Sequence, residues 1–446
     1  MPNSLTYEGE WWPSGQPENK LHGRLVFRPE SGALLTVVTY QKNNQAITTP
    51  VDILGISTQG KKITLCNCLL KGTRGHLRPY DKTETTEWQF MSQLVLIGVH
   101  ANENLKFETL KVRYENFDSW LNISGFKISI RSVRIKTPKN IAIAINKNLK
   151  LIIAFSTYLP RTNYSRTKLF AKQEASIIFQ PEEEQTLKEF YPLIVNFQNF
   201  LTLAISEPTY PITIEGNTEA SKSGELFEPV QVLLNTHGTA RVPKALTTLN
   251  MLFGIKPKSK NIVKTWFRKA DLMKPIHDLY FGSIYQRGIY LNNEFLNLVQ
   301  ALESYHRRIL KNEQLPPKEY AKRVNIVLKK TPEYERWLKY KLGGNEPPLA
   351  QRLNDILQHC PEAQSEYIKD KGSFVKNTAN TRNYLTHFDT RLKDKAVKDF
   401  ELIELVLKLR ILVQVCLFKE LELKPQVIDT LVRRLIQQKY NSIIWS

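Results

Sequence analysis

Apolar positions along this chain change their period partway through. Up to about Gln180 they come in short stretches broken by turn residues: Gly23 to Phe27, Leu34 to Tyr40, Ile63 to Leu70, Phe90 to Gly98 and Phe107 to Tyr114. Ile141, Ile143 and Ile145 alternate with Ala142 and Ala144, Asn146-Lys147-Asn148 turns the chain, and Leu149 to Phe155 runs back. That pattern predicts a hairpin. Many β-branched and aromatic residues at close turn spacing predict an antiparallel sandwich or a barrel-like fold. One helix is expected to interrupt it, from Glu182 to Ile205, acidic at its start and apolar at Leu187, Phe190, Leu193, Phe197 and Leu201. Strand-like segments follow at Tyr210 to Ile214 and Phe227 to Leu234.

After about Gly254 the period becomes helical. Pro257-Lys258-Ser259-Lys260 reads as a basic connector, and Phe295, Leu298, Val299, Leu302, Tyr305 and Ile309 recur at helical spacing. Pro316-Pro317 and Thr331-Pro332 each open another helix, and Gly343 to Pro348 is a loop. Val397 to Phe418 and Ile428 to Gln437 are helical in pattern. The fold class expected is α+β and multidomain. A β-rich antiparallel N-terminal domain with one long helix (residues 1–255) leads through a basic helical connector (256–284) to an all-α bundle (285–446). No internal repeat is visible.

A chain of 446 residues is too long for one ordinary core, which agrees with that division. The formal net charge of +20 attracts polyanions such as nucleic acid or an anionic membrane surface, although a charge spread evenly would only aid solubility. Cys66 and Cys68 share one face of an expected strand, while Cys360 and Cys416 lie in helical patterns. No Cys-x-x-Cys spacing for zinc is present, and four cysteines in this length make no disulfide scaffold, which points to a reducing cytoplasm. Met1 to Gly9 has no apolar signal core. Leu402 to Leu417 carries Glu404, Lys408, Arg410 and Gln414 and is shorter than a membrane span requires. It reads as a buried core helix of a soluble protein that uses no membrane.

The segment that could carry chemistry is Asn380-Thr381-Arg382-Asn383-Tyr384-Leu385-Thr386-His387. On a helix Asn383 and His387 share a face. Arg382 lies ~140° around from His387 at about 100° per residue, and its long side chain can curl to the same cleft. Imidazole moves protons near neutral pH, as abstraction from a ribose 2′-hydroxyl requires. Guanidinium stabilises a crowded phosphorane, and the Asn amide can orient the His or bind a phosphate oxygen. No carboxylate cluster accompanies them, so no metal or other cofactor is expected. By spacing alone, the same residues also fit a solvated helix turn.

Arg-Asn-Tyr-Leu-Thr-His resembles the Arg-Asn-x-x-x-His form of the motif of HEPN ribonucleases. Phe295 to Arg308 resembles the first long helix of ApeA-like HEPN domains. Gly9-Glu10-Trp11-Trp12-Pro13, followed by Gly23-Arg24-Leu25-Val26-Phe27, resembles the opening of the ApeA N-terminal domain. The resemblance covers both halves. It implies a metal-independent endoribonuclease toxin that cuts host RNA, tRNA foremost, in abortive infection once a phage protein is sensed. It also implies a homodimer through the HEPN domain, with two motifs lining one cleft. In that reading His387 is the general base, Arg382 stabilises the phosphorane and Asn383 positions. A non-catalytic RNA- or protein-binding HEPN scaffold is the alternative, as is a β-domain ligand binder whose helices only dimerise.

Glu303 is a candidate acidic partner for Arg382 or His387, or else a rim partner of Arg307 four residues on. His306 flanks an apolar stripe, where structural histidines prevail. Only one of Trp11 and Trp12 is expected in a core, because neighbours on a strand point to opposite faces. Lys256, Lys258, Lys260, Lys264, Arg268 and Lys269 surround Trp266 and Phe267, a mixture that can hold RNA or form a solvated connector. Lys264, Arg268 and Tyr384 are the candidate substrate contacts.

Overall fold

The computed structural model describes residues 4–39, 49–77, 84–219, 228–235, 260–286, 288–364 and 367–444. The expectations placed on Tyr40, Phe227, Gly254, Lys256 and Pro257 to Ser259 lie outside these residues. The chain divides into two units, Met1–Lys260 and Asn261–Ser446.

In the first unit six antiparallel strands form a closed barrel. They are β1 (Leu5–Pro13), β2 (Leu21–Arg28), β3 (Gly32–Thr39), β4 (Val51–Ser57), β5 (Lys62–Leu77) and β6 (Glu84–Ser92). They pair in the order β5-β4-β1-β2-β3-β6, and β5 is long enough to pair again with β6 through its second half. Closure removes the exposed edges that an open sheet would leave. Alternate residues point inward, so Trp11, Leu25, Phe27, Leu35, Val37, Ile53, Ile63, Leu65 and Phe90 fill the interior.

Both tryptophans are buried, on opposite faces of β1, where only one is expected in a core. Trp11 enters the barrel core and donates its indole N–H to the Gly23 carbonyl at 3.0 Å. Trp12 points to the other face, where His100 meets it edge-on with ring centroids 5.5 Å apart and the Lys20 ammonium sits 5.4 Å from its ring centroid. His100 is held there by the Gly55 carbonyl at 2.8 Å. The second face is covered by a segment distant in sequence, which alternation along one strand does not reveal.

β7 (Leu94–Ile97) continues the sheet from β5 to β17 (Val230–Leu234), β16 (Pro211–Asn217), β9 (Thr109–Tyr114), β14 (Leu169–Pro181), β13 (Leu149–Thr162) and β12 (Ile141–Ala144). The expected hairpin is present: Ile143 pairs with Leu151, and the Asn148 N–H donates to the Asn146 side chain at 2.9 Å. Two short pairs, β8 (Lys106–Phe107) with β15 (Gln185–Thr186) and β10 (Phe126–Ile128) with β11 (Val133–Ile135), flank the sheet.

The short helix α1 (Phe117–Leu121) and the long α2 (Leu187–Ile205) pack on this sheet. Phe197 of α2 meets Tyr114, Phe117 and Phe179, and the Tyr114 hydroxyl donates to the Ile194 carbonyl at 2.8 Å. α2 starts five residues later than its acidic run predicts. The Glu189 carboxylate accepts from both the N–H and the hydroxyl of Thr186 at 2.8 Å, so the capping box fixes the start at Thr186 and leaves Glu182 to Glu184 outside.

The second unit is all helix: α3 (Lys260–Arg268), α4 (Ala270–Tyr285), α5 (Leu291–Ile309), α6 (Pro317–Lys330), α7 (Glu335–Lys341), α8 (Leu349–His359), α9 (Lys371–His387), α10 (Asp399–Glu420) and α11 (Pro425–Ile444). α5 is its axis and touches α4, α8, α9 and α10. The expected stripe Phe295, Leu298, Val299, Leu302 and Tyr305 is buried, whereas Ile309 at its end is only half-buried. Tyr305 donates to Glu420 at 2.9 Å, and the Glu294 carboxylate pairs with Arg410, so these two polar groups on α5 are matched across the bundle. Cys360 and Cys416 are buried with their sulfurs 3.7 Å apart. No helix among the described residues is long and apolar enough to cross a membrane.

Candidate active site

α9 carries the Arg-Asn-x-x-x-His segment, and its inward face explains how the segment is held. Asp370 caps the helix by accepting the Ser373 N–H at 3.0 Å. Phe374, Val375, Thr378 and Thr381 are buried against the bundle. Thr381 spends its hydroxyl on the Val397 N–H at 3.1 Å, tying the chain beyond the helix back to the turn that bears Arg382. At the other end Phe388 adopts a left-handed φ of 51°, and its N–H returns to the Tyr384 carbonyl at 2.6 Å. The helix therefore stops with His387 as its last residue.

The structure joins Arg382, Asn383 and Glu303. The Arg382 guanidinium lies 3.8 Å from the Glu303 carboxylate on α5 and donates to the Asn383 side-chain oxygen at 3.2 Å. With 3.8 Å between charged atoms the ion pair orients the guanidinium without a direct hydrogen bond. Glu303 thus faces Arg382. The rim alternative is occupied otherwise, because Arg307 pairs with Glu346 at 2.7 Å. Asn383 turns its side-chain oxygen to Arg382.

His387 is exposed and makes no hydrogen bond to another described residue. The nearby Asp389 carboxyl is drawn down to about 2, chiefly by the Arg391 side chain bonded to it. Tyr384 is half-buried and meets the exposed ring of Phe388 at 5.8 Å, placing two aromatic rings beside His387 in sequence and at one helix end.

The basic helix α3 differs from a stacking platform. Trp266 and Phe267 are buried, Trp266 lying flat on His277 with centroids 4.3 Å apart. Lys264 and Arg268, four apart, share the exposed face, and Arg268 is engaged by Glu422 at 2.7 Å. An amphipathic helix must bury its aromatic face, so the same residues cannot also stack bases. His306 is fully buried and bonds Asp355 at 2.9 Å, on the wall of a recess of about 420 Å³ shared with His359. The His306 pairing spans distant helices and leaves no local signature in the sequence.

A family model described as ApeA N-terminal domain 1 matches residues 6–266, and one described as Apea-like HEPN matches residues 296–427. No curated protein and no solved structure matches the chain. The HEPN match spans α9 and the long helix α5 that faces it. The two matches cover both units, and the chain belongs to the ApeA family, with the N-terminal ApeA domain followed by the HEPN domain of a nuclease-like defence protein.

Proposed function

We propose that this chain is a metal-independent endoribonuclease acting as an anti-phage abortive-infection effector, with host RNA, tRNA foremost, as substrate. The observation that carries the reading is the pairing of Arg382 with Glu303 and Asn383 on the same helix end that presents a solvent-accessible His387.

In this reading the His387 imidazole removes the ribose 2′-hydroxyl proton, and the 2′-oxygen attacks the adjacent phosphorus. The Arg382 guanidinium offers its remaining N–H donors to the charge that grows on the phosphorane. The bond to the 5′-oxygen then breaks, leaving a 2′,3′-cyclic phosphate and, after protonation, a 5′-hydroxyl. That proton needs a donor on the opposite side of the phosphorus. Dimerisation through the HEPN domain supplies one, the protonated imidazole of the partner subunit's His387. Tyr384 and Lys264 serve as substrate contacts, while Arg268 must first leave Glu422 to do so.

The test is incubation of a purified tRNA pool with the full chain in excess EDTA, followed by analysis of the new ends. Cyclic phosphate and 5′-hydroxyl ends support the reading. Activity that vanishes in EDTA and returns with magnesium contradicts it.

A further inference from the structure

Between α5 and α8 the chain makes an excursion, α6 and α7 joined by a single turn at Pro332–Tyr334, in which no residue is fully buried. A core helix of a bundle buries a stripe, so these two helices are not part of the bundle's core. Their half-buried positions recur at helical spacing, Tyr320, Val324 and Leu328 on α6 and Leu338 on α7, and the two helices pack on each other. The base is fixed: the Tyr320 hydroxyl lies within hydrogen-bond distance of the Leu342 and Gly344 carbonyls at 2.9 and 2.7 Å, and Asn345 bonds Leu315 through both its amide ends. The segment is thus an ordered arm with its outer surface free.

That surface has a definite chemistry. Trp337 is 60% exposed and Tyr340 83%, three residues apart on one face of α7, with Tyr334 at 58% just before them. Aromatic rings of this size are normally buried, and three together in water ask for a partner. The charge says which. Pro317 to Lys341 holds eight Lys or Arg against three Glu, a net +5. Two of the glutamates are already spent on Arg323 and Lys339 one turn away. Lys318, Lys322, Lys329, Lys330, Arg336 and Lys341 have no carboxylate at ion-pair distance among the described residues. Rings that offer flat faces, interleaved with free cations, match unpaired bases on a phosphate backbone. An apolar protein partner would meet six uncompensated charges.

We propose that the arm Pro317–Lys341 binds single-stranded RNA, with Trp337 and Tyr340 stacking on bases and the free lysines tracking the backbone. The proposal rests on the ribonuclease reading for its biological sense, since an arm in the same unit as α9 would gather unpaired substrate.

Binding is measured apart from cleavage, in a full-length His387→Ala background, with a labelled mixed-sequence single-stranded RNA and its duplex. Trp337→Ala with Tyr340→Ala is expected to weaken single-strand binding by about tenfold or more. Trp337→Phe with Tyr340→Phe should keep it, because the ring faces remain. Lys329→Ala with Lys330→Ala should lower the slope of log affinity against log salt by roughly 1.4. Unchanged affinity in the double alanine variant overturns the proposal, as does loss of self-association with RNA affinity intact. RNA held tightly through the arm yet never cut by the wild type would count against the ribonuclease reading alone. Cleavage with the same kcat/KM in the arm variant as in wild type would count against the arm alone.

Discussion

Arg382 on α9 and Glu303 on α5 face each other across 3.8 Å, 79 positions apart in the chain, each about three-quarters to two-thirds shielded from water. The pair fixes a guanidinium at the mouth of a helix end without consuming its hydrogen-bond donors.

Glu303→Gln removes the charge and keeps the shape. RNA cleavage is expected to fall about tenfold, because Arg382 loses a constraint on its position while its own charge remains. The folding stability should move by less than about 1 kcal/mol, since a partly exposed pair contributes little. Steady-state cleavage and a thermal melt check both. Activity equal to wild type would show that Asn383 alone orients Arg382.

Much of this arrangement is legible in the sequence, because it lies within single elements. The apolar stripe of α5, the helical period of α10 and the turn at Asn146 to Asn148 depend on neighbours a few residues apart. The Arg-Asn-x-x-x-His spacing is equally local. What the sequence hides is set by pairs far apart. On spacing Glu303 can reach Arg382 or Arg307, and only packing of α5 on α9 separates them. The hydrogen bond from Arg382 to Asn383 depends on how the two side chains turn, which their spacing does not give. The second face of Trp12 is covered by His100, and closure of the barrel depends on β5 serving two partners. The exposure of Trp337 and Tyr340 was equally invisible, since aromatic residues at helical spacing normally mark a buried face.

Burial pulls the His277 imidazole from its ordinary 6.5 down to about 3, with Lys274 adding a smaller push in the same direction. Between those values the unfolded chain binds a proton that the folded chain refuses, so stability falls as the pH falls through this window. From pH 7 to pH 5 this group should cost about 2 kcal/mol. His277→Phe retains a ring against Trp266 and removes the titration. Its melting temperature should decline less over that interval than that of the wild type, and an identical decline would show that other groups govern acid lability.

A nuclease that cuts its own cell's RNA has to be held off, and the N-terminal unit is the large element available for sensing or restraint. Cells expressing only Asn261–Ser446 are expected to stop growing without phage, and the same fragment with His387→Ala should be harmless. Growth curves decide it. A soluble, dimeric and harmless fragment would mean that the N-terminal unit contributes to RNA binding instead.

Whether His387 moves the proton is decided by comparing purified full-length wild type with His387→Ala on the same RNA in EDTA. The variant should melt at the wild-type temperature, because the side chain is exposed and makes no hydrogen bond among the described residues. Its cleavage rate should fall by about 10²–10⁴-fold. Cleavage by His387→Ala at the wild-type rate, with the same ends, would contradict the assignment.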